Sequence, residues 1–261
     1  MITVLSTTYQ KIKFIKICIY ILFVFSNINQ VHASDIPTNT TLQWSDGFES
    51  YSAGSFPSSN WSISGNTDIQ VTNTVRETGN NSLDLYGVIG GNWAALAHRQ
   101  YNPSNELLIE VSVNNGSESI SGIHNFRGEV QLNTGPSWTT PVVSLLMFGD
   151  NGNIYAGPNA TSPILSSYLS GTWYDVQMLY QVMNGGTYDV SYWINGIFKG
   201  TYANTSISEQ NNLAYLSIAS GAGTTYFDNV SVSTVVPVPS AVWLFLTGFS
   251  GLLGFKRRKA V

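Results

Sequence analysis

The chain has 261 residues with a formal net charge of −4, and only 10% of its residues are charged whereas 13% are aromatic. This aromatic content argues against a disordered chain, and about 200 residues between the two terminal segments are enough for one sizeable domain. Most of the 11 Lys and Arg residues lie near the termini, so the middle has no basic patch to contact nucleic acid. The only cysteine, Cys18, lies in the N-terminal segment, which excludes disulfides and thiol catalysis from the rest of the chain.

The N-terminal segment has the pattern of a secretory signal peptide. Three lysines between residues 11 and 16 precede an apolar run, Ile17–Phe25, and Val31 and Ala33 then lie three positions and one position before a cleavage point at Ser34. The apolar run is shorter than the roughly 20 residues that a membrane-spanning helix needs. We therefore predict a signal peptide at residues 1–33, export across the inner membrane, and a polar linker at residues 34–41.

Residues 42–234 have the pattern of an all-β domain. They show no helical period, and short runs that alternate between apolar and polar residues are separated by Gly, Asn, Pro and Ser. This pattern predicts about 12 to 14 strands, with no internal repeat. Outside the clearest segment, the predicted strands are 68–73, 82–86, 93–100, 107–113, 128–132, 141–148, 213–219 and 225–232.

The clearest segment is Gly171–Tyr202. Alternating runs at 173–180 and 187–194 are joined through a Gly-Gly turn, and Asn195-Gly196 leads into a third run. Asn-Gly is typical of the type I′ turn, in which both central residues have positive φ. The segment therefore predicts an antiparallel meander, and Gly149–Asn153 gives a second strong hairpin signal.

Three parts of this domain resemble the concanavalin A-like lectin and glucanase superfamily, which includes laminin-G-like domains. They are the opening Asp46–Tyr51, the strand Gly171–Val176 and the closing Tyr226–Val232. The resemblance extends over about Trp44–Val232 and implies an antiparallel jelly-roll sandwich of two sheets. The galactose-binding-like jelly roll of some carbohydrate-binding modules shares both terminal motifs and is the alternative.

The sequence shows no carboxylate pair for glycoside hydrolysis. Retaining glucanases of this superfamily place an acid and a nucleophile on alternate residues of one strand, whereas here Glu129 is followed two positions later by Gln131. His98 and His124 are isolated, which argues against zinc, and no Gly-x-Ser-x-Gly motif is present. A Ser-His-Asp triad stays open. We predict that the domain is not an enzyme, with a glycan-acting hydrolase as the alternative.

Aromatic side chains are the candidates for sugar binding, because their rings can stack on sugar faces. Trp173 and Trp193 lie on strongly alternating strands, which predicts that they belong to the core. Trp138 follows a Gly-Pro-Ser sequence in a predicted loop, and Trp93 follows a Gly-Gly-Asn turn. We predict Trp138 and Trp93 as the ligand-binding residues.

Acidic residues occur in both terminal motifs of the domain, Asp46 and Glu49 at its start and Asp228 at its end. Related jelly rolls bind a structural calcium near such a pair of terminal strands. Calcium takes six to eight oxygen ligands, and carboxylates brought together repel unless a cation or hydrogen-bond donors compensate them. We predict a structural calcium at these three residues. The alternative is that Glu49 accepts backbone amides and Asp228 faces solvent.

Residues 235–261 have three parts in a fixed order. Pro237 and Pro239 end any preceding strand, residues 240–255 are uncharged and mostly apolar, and Lys256–Lys259 are all basic. An apolar helix followed at once by a basic block is typical of a transmembrane helix whose C-terminus is cytoplasmic. At about 1.5 Å per residue, the helix is slightly short of a bilayer core of about 30 Å.

This tail resembles the PEP-CTERM protein-sorting signal of Gram-negative bacteria, in the variant that begins Val-Pro-x-Pro. Val238 stands at the position of the glutamate in the family's name. The residues that carry the sorting motif are Val236, Pro237, Pro239, Arg257, Arg258 and Lys259. The resemblance implies recognition by an exosortase, a membrane transpeptidase-like enzyme that cuts near the proline motif.

These features together predict an exported protein that is first anchored in the inner membrane and then lies at the cell surface or in the extracellular matrix. Its sandwich is expected to associate with extracellular polysaccharide without catalysis. A structural surface protein with no specific ligand is a further alternative.

Overall fold

The structure is a computed structural model of the chain, and it describes residues 35–88, 94–118, 126–137, 142–157, 160–183, 186–204 and 212–236. The chain divides into two compact units, Met1–Asp35 and Ile36–Val261, and the fold is that of the second unit. The predicted signal peptide, the predicted helix at 240–255, Trp93 and Trp138 lie outside the described residues. Within the described ranges, no helix has the length and apolar character needed to cross a bilayer.

The described part of the domain forms 15 β-strands, whereas the sequence predicted about 12 to 14. They are β1 (Thr40–Asp46), β2 (Ser62–Gly65), β3 (Ile69–Thr72), β4 (Ser82–Gly87), β5 (Ala95–Gln100), β6 (Glu106–Asn115), β7 (Phe126–Asn133), β8 (Val142–Gly149), β9 (Asn153–Ala156), β10 (Ile164–Ser167), β11 (Trp173–Val182), β12 (Tyr188–Ile194), β13 (Ile197–Asn204), β14 (Tyr215–Ser220) and β15 (Gly223–Val235).

The strands form two antiparallel sheets. One has eight strands in the order β13-β12-β11-β6-β15-β4-β3, with β1 also paired to β15, and the other has seven in the order β10-β9-β8-β7-β14-β5-β2. The 13-residue β15 pairs with β4 through its first half and with β1 through its second half. The predicted two-sheet antiparallel jelly-roll sandwich is therefore confirmed.

The core lies between the two sheets because successive side chains of a strand point to opposite faces. Val130 and Leu132 on β7 and Ala95 and Ala97 on β5 are fully buried members of this core. Burial of each large aliphatic or aromatic side chain stabilises the fold by about 1.5–3 kcal/mol. The residues between these core positions must face outward, away from the other sheet.

The turns of the predicted meander are confirmed. Asn195 and Gly196, between β12 and β13, have φ values of 52° and 73°, as the type I′ turn requires. Gly152 in the predicted β8–β9 hairpin has φ 77°. The strands β2 and β10 were not predicted, and each has only four residues, which leaves few positions for an alternation to show.

The two tryptophans of the meander lie outside the core cluster. Trp193 is only 1% exposed, but it pairs with Gln177 on the outward face of the eight-stranded sheet. Trp173 is half-buried and pairs with Asn114 on that same face. The prediction that Trp173 belongs to the core is therefore wrong, because the core positions of β11 are Val176, Met178 and Tyr180, which point to the opposite face from Trp173.

Candidate functional site

The outward face of the seven-stranded sheet carries a row of polar side chains from five neighbouring strands. The strand register aligns Ser62 on β2, His98 on β5, Ser217 on β14, Gln131 on β7 and Ser144 on β8. Glu129 and Asn133, two residues on either side of Gln131, lie on the same face of β7. We call the residues His98, Glu129, Gln131, Asn133, Ser144 and Ser217 the polar face.

The polar face is buried although it points away from the core. His98 is 1% exposed, Glu129 is 6% exposed and Gln131 is 9% exposed. Buried polar groups are costly unless hydrogen bonds satisfy them. Each polar group in this row is therefore expected to have a hydrogen-bond partner.

The His98 ring lies between two serine hydroxyls. Its Nδ1 lies 2.5 Å from Ser217 Oγ and its Nε2 lies 2.6 Å from Ser64 Oγ. Burial lowers the pKa of His98 to about 4, so the ring is neutral near pH 7 and one serine donates while the other accepts. No carboxylate of the described residues is bonded to this ring, and the structure thus assembles no Ser-His-Asp triad around His98.

Glu129 has the properties of a proton-transfer group. Burial raises the pKa of its carboxyl from 4.5 to about 7, and the neighbouring Ser144 and Gln131 side chains oppose that shift only in part. A carboxyl with a pKa near pH 7 is populated in both protonation states, which suits general acid–base catalysis. Glu129 pairs with Met147 on β8, and Met147 pairs with Tyr155 on β9, which places an aromatic ring on the same face.

Two amide oxygens of the polar face have no hydrogen-bond partner among the described residues. They are Oε1 of Gln131 and Oδ1 of Asn133, and both atoms are buried. The Asn133 amide nitrogen itself donates to Ser217 Oγ. Buried acceptors without donors are uncommon in folded proteins, so these two oxygens are a distinctive feature of the polar face.

The raised pKa of Glu129 predicts a pH-dependent stability. Between pH 4.5 and about 7 the folded state keeps the proton that the unfolded state has lost, so the free energy of unfolding falls as pH rises through this window. Glu129→Gln has no such pH-dependent loss. The free energy of unfolding of Glu129→Gln, relative to that of the wild type, should therefore rise by up to about 3 kcal/mol between about pH 4 and about pH 8. Urea denaturation of both proteins at the two pH values measures this gain. An equal difference at both values would contradict the raised pKa.

The predicted calcium residues are compensated by hydrogen-bond donors. Asp46 Oδ2 accepts from Arg99 at 2.7 Å, from Trp61 Nε1 at 2.9 Å and from the Tyr51 hydroxyl at 3.0 Å. Its Oδ1 accepts from the backbone amide of Phe48 at 2.9 Å. Asp46 is thus the centre of a buried cluster with Arg99 and two aromatic side chains.

Glu49 and Asp228 both hold the loop at residues 74–81. Glu49 Oε1 accepts from two backbone amides, those of Asn80 and Asn81, at 2.9 Å each. Asp228 Oδ2 accepts from the amides of Glu77 and Thr78 at 3.1 Å each. Glu49 therefore accepts backbone amides, as the alternative to a calcium site expected. Asp228 is fully buried and does not face solvent, which that alternative did not expect.

Within the described ranges, no group of three or more His, Cys, Asp or Glu side chains is placed to hold a metal ion. The calcium site stays a prediction. Of the sorting residues, only Val236 is described, and it is 39% exposed with its amide donating to the carbonyl of Asn39. Pro237, Pro239, Arg257, Arg258 and Lys259 lie outside the described residues, as do both predicted sugar-binding tryptophans, Trp93 and Trp138.

No family model and no curated protein matches this chain. Solved structures do match its fold. An endo-β-1,4-glucuronan lyase from the fungus Trichoderma reesei aligns with a TM-score of 0.51 at 12% identity over 74% of this chain and 96% of that chain. A carbohydrate esterase from Shiga toxin-encoding bacteriophage phi24B gives 0.53 at 11% identity over 76% and 100%. An alginate lyase in complex with alginate trisaccharide gives 0.50 at 12% identity over 74% and 98%.

These likenesses support the fold, an antiparallel jelly-roll sandwich of two sheets. They also correct one prediction. We expected that the chain is not an enzyme, and that expectation is overturned because the solved structures that share its fold at these TM-scores carry the names of enzymes. The error came from requiring two carboxylates on one strand, which is the demand of glycoside hydrolysis alone.

The polar face was missed because its members come from strands far apart in the sequence. His98 and Ser217 are 119 positions apart, and nothing local links them. One signal was present on β7, where Glu129, Gln131 and Asn133 alternate with the apolar Val130 and Leu132. Three successive outward positions that all carry carboxyl or amide groups mark a candidate site, even without a second acid.

Proposed function

We propose that the β-sandwich acts on a polysaccharide at the polar face, with Glu129 as the group that transfers the proton. The observation that carries this proposal is the buried Glu129 carboxyl, whose pKa is raised to about 7, beside the unpartnered amide oxygens of Gln131 and Asn133. Polysaccharide association is also what the carbohydrate-acting proteins of the same fold support.

The composition of the polar face favours elimination over hydrolysis. Enzymatic hydrolysis of a glycoside commonly uses two carboxyl groups on either side of the scissile bond, and Glu129 is the one carboxylate among the six residues of the polar face. In a β-elimination, a base removes the proton next to a uronate carboxylate, a carbon–carbon double bond forms and the bond to the leaving sugar oxygen breaks. That oxygen takes a proton, so one carboxyl with a pKa near 7 can accept the first proton and return it.

Two of the matched proteins are enzymes of this type, a glucuronan lyase and an alginate lyase. Their identities to this chain are 12% each, so the substrate of this chain is a proposal that rests on the polar face. We propose a uronate-containing polysaccharide as its substrate class.

The test is incubation of the full chain with polyuronates and with neutral polysaccharides, followed by two readouts. Release of reducing ends reports any cleavage, and the ultraviolet absorbance of an unsaturated uronate reports elimination specifically. Both signals are expected with at least one polyuronate. Reducing ends without the absorbance would replace elimination by hydrolysis, and the absence of both signals from every polymer would contradict the proposed activity.

We further propose that residues 235–261 are a sorting signal, with an exosortase and the inner membrane as partners and the cell surface or extracellular matrix as the destination. The support is the order of the proline motif, the apolar stretch and the basic block. Replacing Arg257 and Arg258 with Ala should impair retention at the membrane before sorting, because the basic block holds the cytoplasmic end of the helix.

Mass spectrometry of the surface-located protein, expressed in a host with an exosortase, measures the outcome of sorting. The mature protein is expected to lack Lys256–Lys259. The double-Ala variant is expected in the medium in larger amounts than the wild type. Intact Lys259-Ala260-Val261 on most of the surface-located wild-type protein would contradict the sorting proposal.

A further inference from the structure

The eight-stranded sheet carries a second polar surface, on the opposite side of the sandwich from Glu129. Three successive outward positions of β6 and β11 pair with each other in the register. The pairs are Glu110 with Gln177, Ser112 with Asp175, and Asn114 with Trp173. Four residues separate Gln177 from Trp173, so the three pairs extend over about 13 Å along the sheet.

Two adjoining hollows follow this row. One has a volume of about 430 Å³ and is bordered by Asn114, Trp173 and the loop at residues 74–79. The other has a volume of about 200 Å³ and is bordered by Glu110, Asp175 and Asn229. We call the two hollows together the Trp173 groove. Its size is in the range of small-ligand sites, which are commonly about 300–1,000 Å³.

The wall of the groove is fixed by hydrogen bonds. Asp228 accepts hydrogen bonds from the backbone amides of Glu77 and Thr78, and Glu49 accepts from those of Asn80 and Asn81, all within residues 74–81. Gly79 has φ 60°, and a Cβ there would lie 2.3 Å from a Glu49 carboxylate oxygen, so a larger residue would strain the backbone and displace the Glu49 side chain. A loop held by four backbone contacts pre-organises the groove, which lowers the entropy cost of binding.

The groove contains acceptors that lack donors. Asn114 is 3% exposed and its Oδ1 has no hydrogen-bond partner among the described residues. The same holds for the buried Oε1 of Gln177 at the other end of the row. Asp175 and Glu110 each accept from one serine hydroxyl, at 2.6 Å and 3.1 Å, and carboxylates can accept several further bonds.

We propose that the Trp173 groove binds a short stretch of a neutral, hydroxyl-rich polysaccharide, independently of the reaction at Glu129. The half-buried Trp173 offers an apolar ring for the C–H face of a pyranose. Asn114, Gln177 and the carboxylates accept its hydroxyl donors. Anionic polymers are disfavoured because Glu77, Asp175 and Glu110 surround the site with negative charge, whereas Arg76 is its only cation among the described lining residues.

The pKa of Glu77 is a second indication that the groove carries negative charge. The pKa of the Glu77 carboxyl is raised by burial first and then by the charges of Asp175 and Asp228. A neutral ligand whose hydroxyl groups donate hydrogen bonds to these carboxylates reduces the repulsion between their charges. A uronate would add a further negative charge and increase that repulsion. The groove and the polar face thus suit different polymers.

Affinity electrophoresis of the full chain in gels that contain laminarin, hydroxyethyl cellulose or alginate tests this proposal. Retardation by at least one of the two neutral polymers is expected. Trp173→Ala should weaken it at least about tenfold in Kd, and Asn114→Leu, which keeps the side-chain volume but removes the acceptor, should also weaken it. Glu129→Gln is the matched control, and it should bind the neutral polymer like the wild type.

Circular dichroism melting checks that each variant is folded. Neutral-polymer binding that survives Trp173→Ala, or retardation by alginate that Trp173→Ala removes, would overturn the assignment. Failure of both neutral polymers to retard the folded wild type would overturn it as well. A loss of cleavage in Glu129→Gln with retained binding separates this groove from the proposed active site.

Discussion

Glu129→Gln is expected to lower the rate of polysaccharide cleavage at least about a hundredfold, because a positioned general acid–base group commonly contributes 10²–10⁴ in rate. Glutamine has nearly the same shape as glutamate, but it cannot accept a proton. The substitution removes a buried carboxyl whose pKa is raised to about 7 by burial, so the fold should be retained. Initial rates of reducing-end release at equal protein concentrations measure the effect.

Glu106→Gln is the matched control for this prediction. Glu106 lies on β6 of the eight-stranded sheet, where its carboxylate accepts a hydrogen bond from Gln181 at 3.4 Å. This substitution also replaces a carboxyl with an amide of nearly the same shape, but on the opposite sheet. The cleavage rate of Glu106→Gln should stay close to the wild-type rate. Equal losses of rate in the two variants would contradict the assignment of Glu129 as the proton-transfer group.

Asp46→Ala is expected to lower the free energy of unfolding by about 3–5 kcal/mol, the usual cost of removing one partner of a buried ion pair. The Arg99 and Asp46 side chains are 15% and 6% exposed, and Nη1 lies 2.7 Å from Oδ2. Arg99 also lies 4.2 Å from the centre of the Trp44 ring, so its position is fixed. Without Asp46, a buried cation and the Trp61 and Tyr51 donors would lose their acceptor.

Chemical denaturation of the folded domain measures this loss, and two variants calibrate it. Asp46→Asn keeps an oxygen acceptor without the charge, so its loss should be smaller than that of Asp46→Ala. Glu49→Ala removes an exposed carboxylate that holds two loop amides, and its loss should be about 1 kcal/mol. If Glu49→Ala and Asp46→Ala were equally destabilising, the cluster around Asp46 would not have the role inferred for it.

The strands and turns could be predicted because their signals are local. Alternation along 173–180 and the Asn195-Gly196 pair depend on a few adjacent residues, and the structure confirms both. The order of strands within the sheets is not local. The strand β15 pairs with β1, β4 and β6, and only the resemblance of the terminal motifs to a known sandwich indicated that the first and last strands meet.

The functional residues were harder to predict because an alternating sequence does not show which of the two faces of a strand packs into the core. Trp173 alternates like a core residue, but it lies on the outward face beside Asn114. Asp46 was grouped with Glu49 and Asp228 as a calcium ligand because all three acids lie in the terminal motifs that meet in a jelly roll. The sequence does not show that Arg99, 53 positions away, supplies its counter-charge.

The most direct test of the account is the pH dependence of kcat/KM for cleavage of the polymer that the wild type degrades. Glu129 acts as the base in its ionised form, so activity should fall as pH decreases through about 7, the pKa that burial gives to this carboxyl. The residual activity of Glu129→Gln should show no such transition. A wild-type profile without a transition near that pH, or the same transition in Glu129→Gln, would contradict the assignment of Glu129 as the proton-transfer group.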